Sequence, residues 1–182
     1  MPAGQCDVGD WTGIPVGRMV KDEIETVLNL AETNGRGVFV LALTSNPEGA
    51  SVQHVGGPEA SVARGIVAAA RELNERLREP GPEGAGGWEL AGPCGLVIGA
   101  TVGASLSRLG IDLADFPGPI LAPGYGAQGA TEEDLARVFA GTDRRLVVSS
   151  SRAILRHGPE VAALRREILG TNRRLAAGLA PS

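Results

Sequence analysis

Lysine is almost missing from this chain. Of 17 basic residues only Lys21 is a lysine. Aromatic residues make up 3% of the sequence, so a core has to be built mainly from Leu, Val, Ile and Ala. There are two cysteines, Cys6 and Cys94, and neither belongs to a C-x-x-C pair, which argues against a disulfide framework and a zinc site. The two histidines, His54 and His157, have no metal-ligand spacing and read as ordinary surface or loop residues. No positive charge excess exists: the net charge is −4, which argues against nucleic acid or an anionic membrane as a partner. No apolar run reaches ~18 residues, so no membrane-spanning helix is expected. Met1 to Val20 lacks a basic stretch followed by an apolar one, so no signal peptide is expected and a cytoplasmic setting is the default.

What is present reads as a globular α/β chain. Its 182 residues suit one domain or part of a larger one, and 43% apolar with 21% charged residues is ordinary for such a chain. Met1 to Arg18 has no period and is expected to be poorly ordered. Met19 to Thr33 carries a helical stripe of Ile24, Val27, Leu28 and Ala31, stopped by Asn34-Gly35. Gly37 to Thr44 is a continuous apolar run, as in a strand buried on both faces, and a polar loop from Ser45 to Gly49 follows. Ala60 to Arg78 is an amphipathic helix with Val62, Ile66, Val67, Ala70, Leu73 and Leu77 on its apolar face. Glu79 to Gly87, rich in Pro and Gly, is a flexible loop.

Cys94 to Ala100 is a second buried strand, followed by a short helix from Thr101 to about Leu109. Pro119 to Ala122 is a third strand, and Thr131 caps a helix that runs to Ala140. Arg145 to Ser149 is a fourth strand, and a last helix from Pro159 to about Leu179 turns Val161, Leu164, Ile168 and Leu175 inward. Strands alternating with helices predict a parallel α/β sheet. Ser45, Thr101, the Gly124–Gly129 loop and Ser150-Ser151-Arg152 all follow strands, at the carboxyl ends where such folds place ligands.

The densest of these loops is Pro123-Gly124-Tyr125-Gly126-Ala127-Gln128-Gly129. It has two readings. A strand that passes through glycines into a capped helix is a common phosphate site, because backbone N–H groups can face an anion. The same stretch is also a tight turn with no ligand. Arg152 is similarly two-sided: it can grip a phosphate bidentately, or form a surface salt bridge.

Four stretches together carry a resemblance: Thr44-Ser45-Asn46-Pro47, Val97-Ile98-Gly99-Ala100-Thr101, Pro123 to Gly129, and Ser149-Ser150-Ser151-Arg152. In this order and spacing the chain resembles the orotidine-5′-phosphate decarboxylase family, in its actinobacterial branch, from about Lys21 onward. The resemblance implies a (β/α)8 barrel, a homodimer, and no metal or organic cofactor. It also implies conversion of orotidine 5′-monophosphate to uridine 5′-monophosphate (UMP) and carbon dioxide. On that basis Ser45 would hydrogen-bond the pyrimidine, and Pro123 and its neighbours would line the base pocket. Gln128 would bridge base and phosphate, and Arg152 with the backbone of Ser151 would hold the phosphate.

One departure from the family's pattern is large. Its chemistry rests on Asp-x-Lys-x-x-Asp at an earlier strand end, where the lysine protonates the carbanion and an aspartate presses on the departing carboxylate. The one lysine here has Met19 two residues before it and Ile24 three after. The motif is therefore absent. The expectation is residues 1–20 unmatched, then parallel (β/α) units over 21–182 equivalent to strands five to eight of the barrel. Such a chain would be the C-terminal half of a split, frameshifted or truncated decarboxylase. It would bind phosphate weakly, would not decarboxylate alone, and would pair with itself or with the missing N-terminal half. The alternative is a non-catalytic phosphate- or nucleotide-binding or interaction domain derived from that barrel. A different phosphate-binding barrel enzyme is disfavoured by Ser45-Asn46-Pro47 together with Gln128.

Overall fold

The computed structural model describes residues 26–27, 29–30, 33–34, 36–77, 92–142 and 145–179. Four strands are present: β1 (Val38–Leu43), β2 (Cys94–Ile98), β3 (Ile120–Pro123) and β4 (Leu146–Ser149). They form one parallel sheet in the order β1-β2-β3-β4. Chain order and sheet order coincide, so every crossover advances the sheet in the same direction. With right-handed crossovers this puts the connecting helices on one face. A doubly wound sheet would need a reversal of order, and none occurs. The arrangement is that of consecutive units of a (β/α)8 barrel.

The helices are α1 (Pro47–Gln53), α2 (Gly57–Ala60), α3 (Val62–Leu77), α4 (Gly103–Arg108), α5 (Glu132–Val138), α6 (Arg152–Leu155) and α7 (Val161–Gly178). On α3, Val67, Ala70 and Leu73 are buried and Val62, Ile66 and Leu77 half-buried, as the sequence stripe predicts. Leu73 is fully buried, a contribution of roughly 1.5–3 kcal/mol. Helix α3 packs on β1 and β2. Thr131 starts α5 with a capping box, its side chain accepting from Asp134 N–H while the Asp134 carboxylate accepts from Thr131 N–H.

The two faces of the sheet differ. The register aligns Val40, Leu96, Ile120 and Leu146 in one row, with Leu96 and Ile120 completely buried. One residue along, Leu41, Val97, Leu121 and Val147 form a row on the opposite face, and Leu41 is 57% exposed. Phe39, on the same face as Leu41, is also exposed and lies against Gly95, where a Cβ would meet its ring at 2.5 Å. The expectation that Gly37 to Thr44 is a strand buried on both faces is therefore corrected. The helices cover one side of β1, and the other is about half exposed at Phe39 and Leu41.

Other expectations need correction too. Ser45 to Gly49 is not simply a loop: Pro47 begins α1, at a position where its missing N–H costs nothing. On α7, Val161 is 70% and Ile168 40% exposed, and only Leu164 and Leu175 are half-buried. The helix packs against α5 and α6 rather than along its whole length on the sheet. Despite their scarcity, aromatics do enter the core, as Phe116, Tyr125 and Phe139. Thr26, Val27, Asn29, Leu30 and Thr33 are helical, and Val27 is exposed. Met1 to Arg18, most of Met19 to Thr33 and the Glu79–Gly87 loop lie outside the described residues. Among the described residues no helix is long and apolar enough to cross a membrane.

At the amino end of β2 a single side chain closes the structure. Asn74 of α3 is completely buried. Its Nδ2 donates to Cys94 O at 2.7 Å, and its Oδ1 accepts from Cys94 N–H at 2.8 Å. Gly92 and Gly118 press on it so closely that a Cβ would lie 2.3 Å from Asn74 Oδ1 or 2.6 Å from Nδ2. Cys94 itself is a free buried thiol, pushed up to about 11 by burial.

Candidate functional site at the carboxyl rim

The carboxyl ends of the four strands meet along one rim. Gly99 N–H donates to Leu43 O at 2.9 Å, and Ala100 N–H donates to Pro123 O at 2.7 Å. Pro123 is in register with Ser149. Ser45 follows β1 and Pro123 ends β3. Gln128 lies in the loop after β3, Ser151 precedes α6, and Arg152 opens α6. Ser45, Gln128, Ser151 and Arg152 are exposed.

The Gly124–Gly129 loop and the Ser150–Ala153 turn adjoin. Ser150 Oγ donates to Tyr125 O at 3.4 Å, and a Cβ on Gly126 would sit 3.2 Å from Ala153 Cβ. Gly124, Gly126 and Gly129 have φ of 109°, 72° and 93°, the left-handed region that only glycine enters freely. The loop satisfies much of its own backbone. Gly126 N–H donates to Ala130 O, Ala127 N–H to Tyr125 O and Gly129 N–H to Gly126 O, each at 3.0 Å. The sequence reading of bare N–H groups facing an anion is corrected at these three positions. What the loop presents instead is the Gln128 side chain, folded back so that its Oε1 lies 3.0 Å from where a Gly124 Cβ would stand.

Arg152 makes no ion pair or side-chain hydrogen bond with any described residue. It is exposed and opens the turn that adjoins the Gly124–Gly129 loop. Ser45 is at the other end of the rim. Its strand and β4 are the outer strands, about 14 Å apart along a sheet of ordinary spacing. Pro123, Gln128, Ser151 and Arg152 thus lie on the adjoining ends of β3 and β4, and Ser45 follows the outer strand β1.

Two features of the rim escaped sequence reading. Buried Gln53 clips the turn after β1: its Oε1 accepts from Thr44 N–H at 3.0 Å, and its Nε2 donates to Thr44 Oγ1 at 2.9 Å. Thr44 Oγ1 in turn donates to Asn46 Oδ1. Tyr125, the one tyrosine of the chain, is buried, and its hydroxyl donates to Glu132 Oε1 at 2.6 Å. That bond holds the Glu132 carboxyl below its ordinary value, while burial raises the phenol. A single large aromatic among glycines was the available signal for the second feature.

A cavity of about 610 Å³ opens behind the rim between α4 and α5, lined by Thr101, Ser107, Asp112, Asp134 and Arg137 among others. None of the predicted site residues lines it. Its charged walls include the Asp134–Arg137 pair, already closed at 2.6 Å.

Comparison with known proteins fits this geometry. The sequence model of the orotidine 5′-phosphate decarboxylase / HUMPS family matches residues 17–166. The orotidine 5′-phosphate decarboxylase of Streptomyces coelicolor is 46% identical over 144 residues, which are 78% of this chain and 46% of that protein. That of Salinispora arenicola is 44% identical over 142 residues, 76% of this chain and 45% of the relative. Among solved structures, an orotidine 5′-phosphate decarboxylase from Streptomyces avermitilis superposes with a TM-score of 0.69 at 42% identity, covering 85% of this chain and 49% of that one. An orotidine-monophosphate decarboxylase structure from Toxoplasma gondii, 22% identical, shares the fold at a TM-score of 0.57, covering 91% of this chain and 66% of the other. The chain spans about half the length of the curated relatives it matches. Sequence and fold agree that this chain belongs to the orotidine 5′-phosphate decarboxylase / HUMPS family.

Proposed function

We propose that this chain supplies the phosphate- and base-gripping part of an orotidine 5′-monophosphate decarboxylase site and does not decarboxylate by itself. The observation that carries the reading is Arg152, a guanidinium without a partner among the described residues, in the turn that adjoins the Gln128 loop at the carboxyl rim. A planar fork of donors in that position suits a terminal phosphate. Ser45, set apart along the rim, suits the pyrimidine of the same elongated ligand, with Pro123 against the base and the Ser151 backbone on the phosphate. Remote phosphate binding can supply energy to a reaction at the ring. In this sequence the proton donor and its acidic partners are wanting, since Lys21 lies in no Asp-x-Lys-x-x-Asp pattern.

The partner follows from the sheet. Leu41, Val97, Leu121 and Val147 form an apolar row on the face opposite Leu96 and Ile120, exposed at Leu41 and half-buried at the other three, and β1 and β4 are the outer strands. A complementary half-barrel in the same cytoplasmic setting would cover that row, pair both outer strands and bring the lysine motif. The absent motif also favours a second reading, a nucleotide-binding module without catalysis. The two separate when the N-terminal half of a full-length relative is co-expressed: restored turnover supports the first, and binding without turnover the second.

The direct test is titration of the purified chain with UMP, uridine and inorganic phosphate. UMP is expected to bind more tightly than uridine. Arg152→Ala should weaken UMP by roughly 10- to 100-fold, the worth of a charge-assisted bond, while uridine is unaffected. Equal affinity for UMP and uridine, or carbon dioxide release from orotidine 5′-monophosphate by the chain alone, would overturn the proposal.

A further inference from the structure

The glycine loop is held from behind by a set of side chains that no ligand contact accounts for. Tyr125 lies between Gly124 and Gly126, and its buried ring is the one bulky group in the loop. Its hydroxyl donates to Glu132 Oε1 at 2.6 Å. The same oxygen is 3.4 Å from Nε of Arg174, on α7. Nη2 of Arg174 then donates to Glu167 Oε1 at 2.9 Å and to Thr171 Oγ1 at 3.0 Å. His157 Nε2 stands 3.9 Å from the other oxygen of Glu167. A continuous line of polar contacts thus joins the loop, α5 and α7.

A separate observation shows that α7 is seated there closely. A Cβ on Gly178 would fall 2.7 Å from Glu132 Cβ. The helix approaches the residue that receives Tyr125 so nearly that only a glycine fits. Thr171, Arg174 and Gly178 all lie beyond residue 166, where the family match ends.

The need for an anchor is physical. A loop with three positive-φ glycines has many accessible backbone states, and Gln128 faces a ligand reproducibly only if those states are narrowed. An exposed ion pair alone narrows little. Here one carboxylate is shared between a buried phenol and a guanidinium, so each contact orients the next. We propose that Arg174 is a positioning residue for the Gly124–Gly129 loop, acting through Glu132 and Tyr125 to fix where Gln128 is presented. The consequence for ligand rests on the phosphate reading above; the consequence for the loop does not.

Backbone hydrogen exchange of the purified chain tests it, with the same UMP and uridine titrations alongside. Arg174→Ala should speed exchange of the Tyr125–Ala130 amides by roughly tenfold and leave the β2 and β3 amides unchanged. Arg174→Lys, which keeps a cation beside Glu132, should restore most of the protection, and Tyr125→Phe should reproduce the loss. UMP affinity should fall several-fold in Arg174→Ala with uridine affinity constant. Unchanged loop exchange, a rise shared equally by β2 and β3, or a loop already unprotected in the unaltered chain would each overturn the positioning role. Faster loop exchange in a chain that never distinguishes UMP from uridine would leave positioning standing and remove the phosphate reading.

Discussion

Replacing Asn74 by alanine should destabilise the chain more than most single substitutions. The side chain is completely buried and serves both backbone groups of Cys94, at 2.7 and 2.8 Å. Alanine leaves one N–H and one C=O unpaired in a region where Cys94 is itself fully buried. Each orphaned group costs about 1–3 kcal/mol, so the pair costs about 2–6 kcal/mol. The better helix propensity of alanine offsets only about 0.7 kcal/mol. Against a typical total of about 5–15 kcal/mol, the loss is large. Urea unfolding followed by circular dichroism should show it as a midpoint lowered by about 0.7–2.7 M, with an m-value near 2 kcal/mol/M. Glu75→Ala, one residue along the same helix but exposed, serves as the control and should stay within about 0.5 kcal/mol. If Asn74→Ala lost less than about 1 kcal/mol, a replacement partner such as water would have to be reaching Cys94, and the argument would fail.

Three further outcomes are expected. Gly118→Ala should cost about 1–3 kcal/mol or more, because its Cβ would lie 2.3 Å from Cys94 O; a wild-type urea midpoint would contradict this. Thr131→Ala should remove about 1 kcal/mol by opening the capping box of α5, with Thr131→Ser retaining most of it in the same assay. Stability should also depend on pH at both ends. The Tyr125 bond holds Glu132 below 4.5, and Arg174 does the same for Glu167, so their contribution is present above that value and is lost as pH falls through the folded values. Tyr125 is shifted the other way, above 10, chiefly by burial, so its contribution is lost as pH rises through the folded value. An unchanged urea midpoint from about pH 6 to about pH 3.5 would count against the acidic half of this argument.

Strand runs such as Val38–Leu43 and Cys94–Ile98 were legible because they are continuous apolar runs of strand length, although only the second is buried throughout most of its length. The capping box at Thr131 was legible as a start signal. What escaped depends on groups far apart in sequence. Phe39 and Leu41 look buried in the sequence, yet their exposure is decided by what lies opposite the sheet. Pro47 after Asn46 reads as a turn, and the contacts that close the turn onto α1 come from Gln53. At the rim, Ser45, Gln128 and Arg152 could be picked out as polar groups after strands. The tie from Tyr125 to Arg174 has no periodicity to betray it, since it spans two helices.

The coincidence of chain order with sheet order also bears on how the sheet is made. Each strand pairs only with the one synthesised just before or just after it. Every ladder therefore closes a single strand–helix–strand unit, and none waits for a distant segment to arrive. The sheet can grow one unit at a time as the polypeptide emerges. A break in the coding sequence before such a series would leave all three internal ladders intact and disturb only the two seams at its ends.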